Sequence, residues 1–229
     1  MHEIVRRMDV DFILRLDSVD LPSLDWLINS VFMKTALQFG LQADDAVFDL
    51  GSHIGSFALP LARRYGCPAW CFEPDEPSLR VSRASAVLNG LDDRISFLQA
   101  GIGGVDGSAT LYQSDENWGH TTVEGGGPGN RLTGEATTIR VFSLASALDL
   151  AKAPRRVFLK VNIEGAEYAM FEQASHDTLR RVDCYVGEIH YDLGRADFQP
   201  CIDRLEAAGF SVQMHPAGDV RALLVARRG

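Results

Sequence analysis

Residues 47–57 constrain the fold of this chain more than any other stretch. They read V-F-D-L-G-S-H-I-G-S-F, a short buried strand followed by two glycines around a tight turn and then a helical pattern. A strand, a glycine turn and a helix form the first half of a nucleotide-binding unit, because glycine lets the backbone approach a ligand and the helix offers free N–H groups. A tight turn without any ligand is the alternative, and the downstream residues decide between them.

Strands and helices alternate after this turn. The predicted strands cover residues 46–50, 69–73, 95–99, 157–163 and 184–190. The predicted helices end near residue 65 or cover residues 77–89, 143–150, 166–174 and 198–208. This order predicts an α/β fold with a parallel sheet and right-handed crossovers. Segments 110–113 and 137–142 are β-like and expected to pair, and segments 210–214 and 221–226 can form a final hairpin.

The 229 residues suit a single domain, 1–229. We predict that residues 1–42 form an N-terminal helical segment, with one amphipathic helix over residues 23–39. Residues 114–135 are rich in Gly, Asn and Thr and include G-G-G-P-G. No core can form there, so this stretch is predicted to be a flexible lid or a substrate loop.

Composition argues against several classes of protein. The net charge of −9 argues against a broad nucleic-acid or acidic-membrane surface. Four scattered cysteines indicate reduced thiols rather than a zinc site. The first twenty residues are charged and contain no apolar central region, so a cytoplasmic location is the expectation.

Two carboxylates suggest the ligand of the glycine turn. Glu73 ends the second predicted strand, where an acidic side chain can accept hydrogen bonds from both ribose hydroxyls of an adenosine group. The spacing G-x-x-x-G differs from the dinucleotide fingerprint, and Asp49 lies two residues before Gly51. A carboxylate there disfavours a pyrophosphate and favours the cationic S-adenosylmethionine. Asp49 could contact the amino-acid end of this cofactor, hydrogen-bond the glycine loop, or do both.

Polar residues also occur at the ends of the fourth and fifth predicted strands. Lys160, Asn162 and Glu164 alternate with apolar residues, and Glu188 and His190 repeat the pattern. Central parallel strands are normally apolar, and open α/β sheets bind ligands at this edge. A structural network is the alternative interpretation, above all for Lys160. His53, within the turn, could face the same pocket.

The blocks V-F-D-L-G-S-H-I-G-S-F, C-F-E-P, F-L-K-V-N-I-E-G-A-E and E-I-H resemble the FkbM-type methyltransferases in sequence and order. The resemblance implies a class I, Rossmann-like methyltransferase with a seven-stranded, mostly parallel sheet, an antiparallel last strand and helices on both faces. It also implies S-adenosylmethionine as cofactor. The cofactor-binding residues expected are Asp49, Gly51, Ser52, Gly55, Glu73, Gln99, Ala100 and Gly101.

The chemistry implied is methyl transfer to a hydroxyl, which must lose a proton. His53 or His190 is the predicted base, with Glu188 orienting a histidine or the acceptor. The family usually has Asp where this chain has Asn162. An amide cannot act as a carboxylate base, but Asn162 is still one of the predicted catalytic residues. A second route uses Mg²⁺ held by Asn162, Glu188 and His190.

The acceptor is expected to be a small molecule with a hydroxyl, a saccharide or a glycosylated or polyketide natural product. Trp118, His120 and Glu164 are the predicted substrate-binding residues. We expect neither nucleic acid nor membrane as a partner, and a homodimer stays open. The alternatives are another small-molecule methyltransferase, a non-catalytic S-adenosylmethionine-binding module and, least favoured, an NAD-dependent oxidoreductase.

Overall fold

The computed structural model of the protein describes residues 1–16, 18–126, 131–191, 193 and 197–229. The strands are β1 His2–Arg7, β2 Val10–Arg15, β3 Ala46–Leu50, β4 Ala69–Phe72, β5 Ile95–Leu98, β6 Gly101–Gly103, β7 Gly107–Ser114, β8 Leu132–Ser143, β9 Val157–Val161, β10 Cys184–His190, β11 Phe210–Pro216 and β12 Arg221–Arg228. The helices are α1 Asp20–Asn29, α2 Val31–Phe39, α3 Ala58–Tyr65, α4 Glu76–Leu88, α5 Leu144–Leu148, α6 Glu167–Gln173, α7 His176–Leu179 and α8 Gln199–Ala207.

A seven-stranded sheet in the order β11-β12-β10-β9-β3-β4-β5 forms the centre of the molecule. Strand β12 runs antiparallel to both β10 and β11, whereas the pairs from β10 to β5 are parallel. The predicted sheet with its antiparallel last strand is therefore confirmed. The carboxyl ends of β3, β4 and β9 lie at one edge, where open α/β sheets bind their ligands.

Apolar side chains cover both faces of this sheet. On β3, Phe48 and Leu50 belong to one core cluster, which also contains Phe171 of α6 and Leu205 of α8. Val47 belongs to a second cluster on the opposite face, built with residues of α2, α3 and α4. Successive residues of a strand face opposite sides, so one apolar strand supplies both cores and fixes the turn that follows it.

The N-terminal segment differs from the prediction of a helical segment over residues 1–42. Strands β1 and β2 form a hairpin, whose turn residues Met8 and Asp9 both have positive φ, at 48° and 61°. The single helix predicted over 23–39 is wrong as well. It is two helices, because Ser30 ends α1 and its side chain accepts a hydrogen bond from the Phe32 N–H at the start of α2.

The remaining predicted elements differ from the observed ones mainly in the residues at which they begin or end. Strand β9 ends at Val161, two residues before the predicted end, so Asn162 and Glu164 lie in the turn that follows it. Strands β6, β8 and β7 form a separate three-stranded sheet, in which β8 already begins at Leu132 within the predicted loop 114–135. Part of the G-G-G-P-G run, in residues 127–130, lies outside the described residues.

Across the described part of the chain, no helix has both the length and the apolar character needed to cross a bilayer.

Candidate active site

A cavity of about 380 Å³ opens at the carboxyl edge of the sheet. Its wall includes helix α1, the turn after β3, the loop that contains Trp118, and parts of β4, β9 and β10. Predicted site residues that line the cavity are Gly51, Ser52, His53, Glu73, Ala100, Gly101, Trp118, His120, Asn162, Glu164 and Glu188. The structure therefore brings most of them to one site.

The turn after β3 requires both of its glycines, for different reasons. Gly51 has φ +73°, and a β-carbon on it would overlap the backbone carbonyl of Asn162. Gly55 has φ +78° and is not part of the cavity wall; a β-carbon there would run into the Ser82 side chain on α4. Gly51 thus brings the backbones of two strand ends together beside the cavity, whereas Gly55 allows close helix packing.

Asp49 lies beneath this turn and not in the cavity wall. It is fully buried, and its Oδ1 is 3.1 Å from Nζ of Lys160 on the neighbouring strand. Burial raises the pKa of Asp49, against the opposing effect of the Lys160 charge. Lys160 also donates a hydrogen bond of 2.5 Å to the Gly51 carbonyl, so the structural interpretation of this lysine agrees with the geometry. A contact between Asp49 and a cofactor stays a prediction.

Glu73 has a defined orientation at the end of β4. Its Oε2 accepts a hydrogen bond of 2.7 Å from the His53 N–H, and its Oε1 accepts one of 2.9 Å from the Asp75 N–H. The side chain is 8% exposed, and this burial raises its pKa to about 7. A carboxylate held by two backbone donors at a cavity wall keeps further lone pairs for a ligand's hydroxyl groups.

The wall next to Glu73 is apolar. Ala100, Ile102, Leu111 and Ile139 line it and are buried. Gly101 fits against Ile139, since a β-carbon at Gly101 would lie 2.9 Å from the Ile139 Cδ1. Small and apolar residues beside a ribose-binding carboxylate suit a flat ring such as adenine. Gln99, predicted to bind the cofactor here, is exposed and does not line the cavity.

Several buried polar atoms of the cavity residues lack a partner. The hydroxyl of Ser52, Oδ1 of Asn117 and Oδ1 of Asn162 make no hydrogen bond to any described residue. All three residues line the cavity. Buried polar atoms are rarely left unpaired, because each costs about 1–3 kcal/mol. This pattern fits a cavity whose polar ligand supplies the missing partners.

Asn162 and Glu188 lie side by side at the ends of β9 and β10. In the register of these parallel strands, Val161, the last residue of β9, pairs with Gly187, so Asn162 and Glu188 directly follow paired residues. Glu188 is 6% exposed, burial raises its pKa, and its Oε1 lies 3.4 Å from Nη1 of Arg221. The guanidinium of Arg221 also lies over the Trp118 ring, 5.4 Å from its centroid. The cavity therefore has hydrogen-bond acceptors at its floor and an aromatic face nearby.

His190 does not line the cavity, although the sequence predicts it as a base. It is fully buried, with Nδ1 2.9 Å from Glu167 Oε1 and Nε2 3.4 Å from Glu164 Oε1. Burial lowers the pKa of His190, but the charges of Glu164 and Glu167 outweigh this effect and raise it well above 6.5. A protonated, enclosed imidazole contradicts the expectation of a neutral histidine base at this position.

The predicted magnesium route also lacks support. Asn162 and Glu188 line the cavity, but His190 lies behind Glu164 and Glu188. Within the described ranges of the chain, no group of three or more His, Cys, Asp and Glu side chains could hold a metal ion.

Two other histidines do reach the cavity wall. His53 has φ +48°, and burial lowers its pKa to about 4, so its imidazole is neutral at pH 7. His120 accepts a hydrogen bond from the Ser114 N–H at Nδ1, 2.9 Å away, and burial lowers its pKa too. Because Nδ1 of His120 is an acceptor, the neutral ring carries its proton on Nε2, which lies 3.8 Å from Asp75.

Sequence reasoning missed the N-terminal contribution to the site. Arg15 makes two hydrogen bonds to the fully buried Asp20 through its guanidinium, and His53 Nε2 lies 3.5 Å from Oδ1 of the same carboxylate. Trp26, on α1, lines the cavity. The alternation of Val10, Phe12 and Leu14, all buried, was the signal that could have revealed β2 and hence Arg15 at its end.

The fold is the Rossmann-like fold of the class I methyltransferases. Among solved structures, a methyltransferase FkbM from Methylobacillus flagellatus KT is similar at TM-score 0.53 and 16% identity, covering 81% of this chain and 44% of that one. The N-terminal domain of human METTL16 in complex with SAH is similar at TM-score 0.52 and 12% identity, over 96% and 76%. A human methyltransferase 10 domain containing protein is similar at TM-score 0.52 and 11% identity, and the match covers 97% of this chain and 90% of that one.

These identities show a shared fold and nothing finer. No curated protein sequence matches this chain. The model of the methyltransferase FkbM domain does match, over residues 49–212. The chain belongs to this family, as the sequence blocks around the glycine turn predicted.

Proposed function

We propose that the protein is an S-adenosylmethionine-dependent O-methyltransferase that acts on a hydroxyl of a saccharide or of a glycosylated or polyketide natural product. One observation carries this proposal. A single cavity has Gly51 at the turn, Glu73 at the next strand end and Asn162 at the end of β9. These positions match the needs of an adenosine group at one end and of a reacting group at the other.

The residues of the cavity fit the cofactor. Glu73 can accept the ribose hydroxyls, and the apolar wall of Ala100 and Ile102 suits adenine. Ser52 and Asn162 offer polar atoms that lack partners among the described residues. When bound, S-adenosylmethionine supplies a methyl group already activated on a positively charged sulfur. Much of the acceleration can then come from positioning the acceptor.

The acceptor hydroxyl would lie at the floor formed by Asn162 and Glu188. Oδ1 of Asn162 and the Glu188 carboxylate can only accept hydrogen bonds, so they favour a ligand that donates them. A hydroxyl does so, and Glu188 can take its proton because burial raises the pKa of Glu188 and makes the carboxylate a stronger base. Before the transfer, the charges of Arg221 and His190 stabilise the ionised Glu188 carboxylate. This assignment replaces His190, whereas His53 stays a second candidate within the cavity.

The Trp118 ring supports a saccharide acceptor, since sugar rings often pack on aromatic faces. Glu164, on a turn with φ +50°, and His120 line the same part of the cavity. Thr121 Oγ1 fixes this loop by a 2.6 Å hydrogen bond to the Glu164 carbonyl. The proposal therefore assigns Trp118, His120 and Glu164 to the acceptor.

Calorimetry and a transfer assay test the two halves of this proposal. We expect binding of S-adenosylmethionine and S-adenosylhomocysteine without binding of NAD, and transfer of labelled methyl to some members of a glycoside and macrolide panel. Glu188→Gln should abolish transfer while leaving S-adenosylhomocysteine affinity within about twofold, and Glu172→Gln on α6 serves as the control. Binding without transfer to any acceptor would instead support a non-catalytic module.

A further inference from the structure

The side chain of Asn117 connects the loop over the cavity to the N-terminal segment. Its Nδ2 donates a hydrogen bond of 3.0 Å to Oδ1 of Asp20, although the two residues are 97 positions apart. Asp20 lies outside the range 49–212 that matches the family model. This contact is therefore a feature of the present chain that the family match does not assign.

Asp20 determines which way the Asn117 amide faces. Hydrogen bonds from Arg15 outweigh the effect of burial and lower the pKa of Asp20 to about 2, so its carboxylate is ionised at neutral pH and can only accept. The NH₂ group of Asn117 must face it, which turns the amide oxygen away. That oxygen is buried, and no described residue donates to it. Asn117 itself lines the cavity.

The ligand group that suits this oxygen is a hydrogen-bond donor. Helix α1, which begins at Asp20, lies against the turn after β3, and His53 of that turn is 3.5 Å from Asp20. Asn117 is thus on the glycine-turn side of the cavity, where the amino-acid end of the cofactor is expected. The ammonium group of that end has three N–H donors and a positive charge.

We propose that Oδ1 of Asn117 accepts a hydrogen bond from the ammonium group of S-adenosylmethionine, and that Asp20 is the positioning residue that orients this amide. The inference rests on the proposed function, because it assumes that this cofactor occupies the cavity. It gives the N-terminal segment a part in cofactor recognition, through the orientation of Asn117.

The test compares two ligands that differ in the amino-acid end. S-adenosylhomocysteine has the ammonium, and 5′-methylthioadenosine lacks the whole amino-acid part. By calorimetry, Asn117→Ala should weaken S-adenosylhomocysteine about tenfold, the size expected for one hydrogen bond to a charged group. Asp20→Asn should weaken it as well, since an amide at position 20 no longer fixes the orientation of Asn117. Both variants should keep the wild-type affinity for 5′-methylthioadenosine within about twofold.

Matched controls come from the same N-terminal segment. Asn29 donates a 2.7 Å hydrogen bond to the Asp25 carbonyl, and the Asp25 carboxylate accepts one from Arg7, both away from the cavity. Asn29→Ala and Asp25→Asn should leave both affinities unchanged. Thermal unfolding of every variant verifies folding. If Asp20→Asn does not fold, the comparison of the two ligands with Asn117→Ala alone still tests the inference.

Two results would overturn the inference while the proposed function stands. One is a wild-type protein that binds S-adenosylhomocysteine together with an Asn117→Ala variant of equal affinity. The other is an equal loss for both ligands, which would indicate a general structural effect. A wild-type protein that binds neither ligand would overturn the proposed function and this inference together.

Discussion

The ammonium of Lys160 lies 3.1 Å from the Asp49 carboxylate, and both side chains are buried between neighbouring strands. The lysine compensates the charge that the sequence suggested would attract a cationic ligand. It also donates to the carbonyls of Leu50 and Gly51. The pair therefore acts first on the shape of the glycine turn, and its effect on a ligand is indirect.

Lys160→Met should unfold much more easily than the wild type. Removing one partner of a buried ion pair leaves the other charge uncompensated and costs about 3–5 kcal/mol. Urea unfolding measures the change in free energy. Arg80→Ala breaks the exposed Arg80–Glu76 pair and should cost less than about 0.5 kcal/mol. Equal, small effects of the two substitutions would contradict a structural role for Lys160.

Gly51→Ala should be more destabilising than Gly90→Ala. Both glycines have a left-handed conformation, with φ of +73° and +64°, which costs an alanine about 1–2 kcal/mol. Only at Gly51 does the added carbon meet another atom, the Asn162 carbonyl oxygen, whereas Gly90 has open space around it. Overpacking adds about 1–3 kcal/mol. Chemical unfolding measures both variants, and similar values would refute the close approach of β3 and β9.

Binding of S-adenosylhomocysteine should release protons near pH 7. The pKa of Glu73 is raised to about 7 in the free protein, so about half of these carboxyls are protonated at that pH. Ribose hydroxyls that donate to the carboxylate favour its ionised form and lower the pKa. Affinity should therefore rise with pH through 7 and then level off.

Calorimetry in buffers of different ionisation enthalpy measures this proton release. Glu73→Gln should lose the pH dependence as well as much of the affinity. Glu76→Gln, at the start of α4 and outside the cavity wall, is the control and should behave like the wild type. A pH-independent affinity for the wild type would remove Glu73 from the ribose site.

His190 should stabilise the fold in a pH-dependent manner. Its folded-state pKa is raised above the unfolded value of about 6.5, so its contribution is complete below pH 6.5 and is lost as the pH rises through the folded value. The difference in unfolding free energy between wild type and His190→Gln should therefore be largest at pH 6 and shrink towards pH 9. His215→Gln, at an exposed position of β11, serves as the control and should change the unfolding free energy little. A difference that grows with pH would contradict the buried imidazolium.

The sequence predicted the parallel strands well because each is a short, mostly apolar run that is followed by a turn signal. It failed where the signal is tertiary. The sequence around Asp20 does not indicate that Asn117, which is 97 positions further along the chain, donates a hydrogen bond to it. The double role of Ser30 depends on backbone geometry. The protonation of His190 depends on Glu164, Glu167 and Glu188, which only the fold brings around it. Contacts between distant segments depend on tertiary packing, and a single sequence carries no direct signal for that packing.

The position of β12 also sets an order of events. This strand lies between β10 and β11, although both precede it in the chain. While the ribosome is still making residues 217–228, β10 presents an open edge and β11 has no place in the sheet. Open edges pair readily with other chains. The β10 edge of the sheet is therefore closed only when β12 emerges and pairs with it.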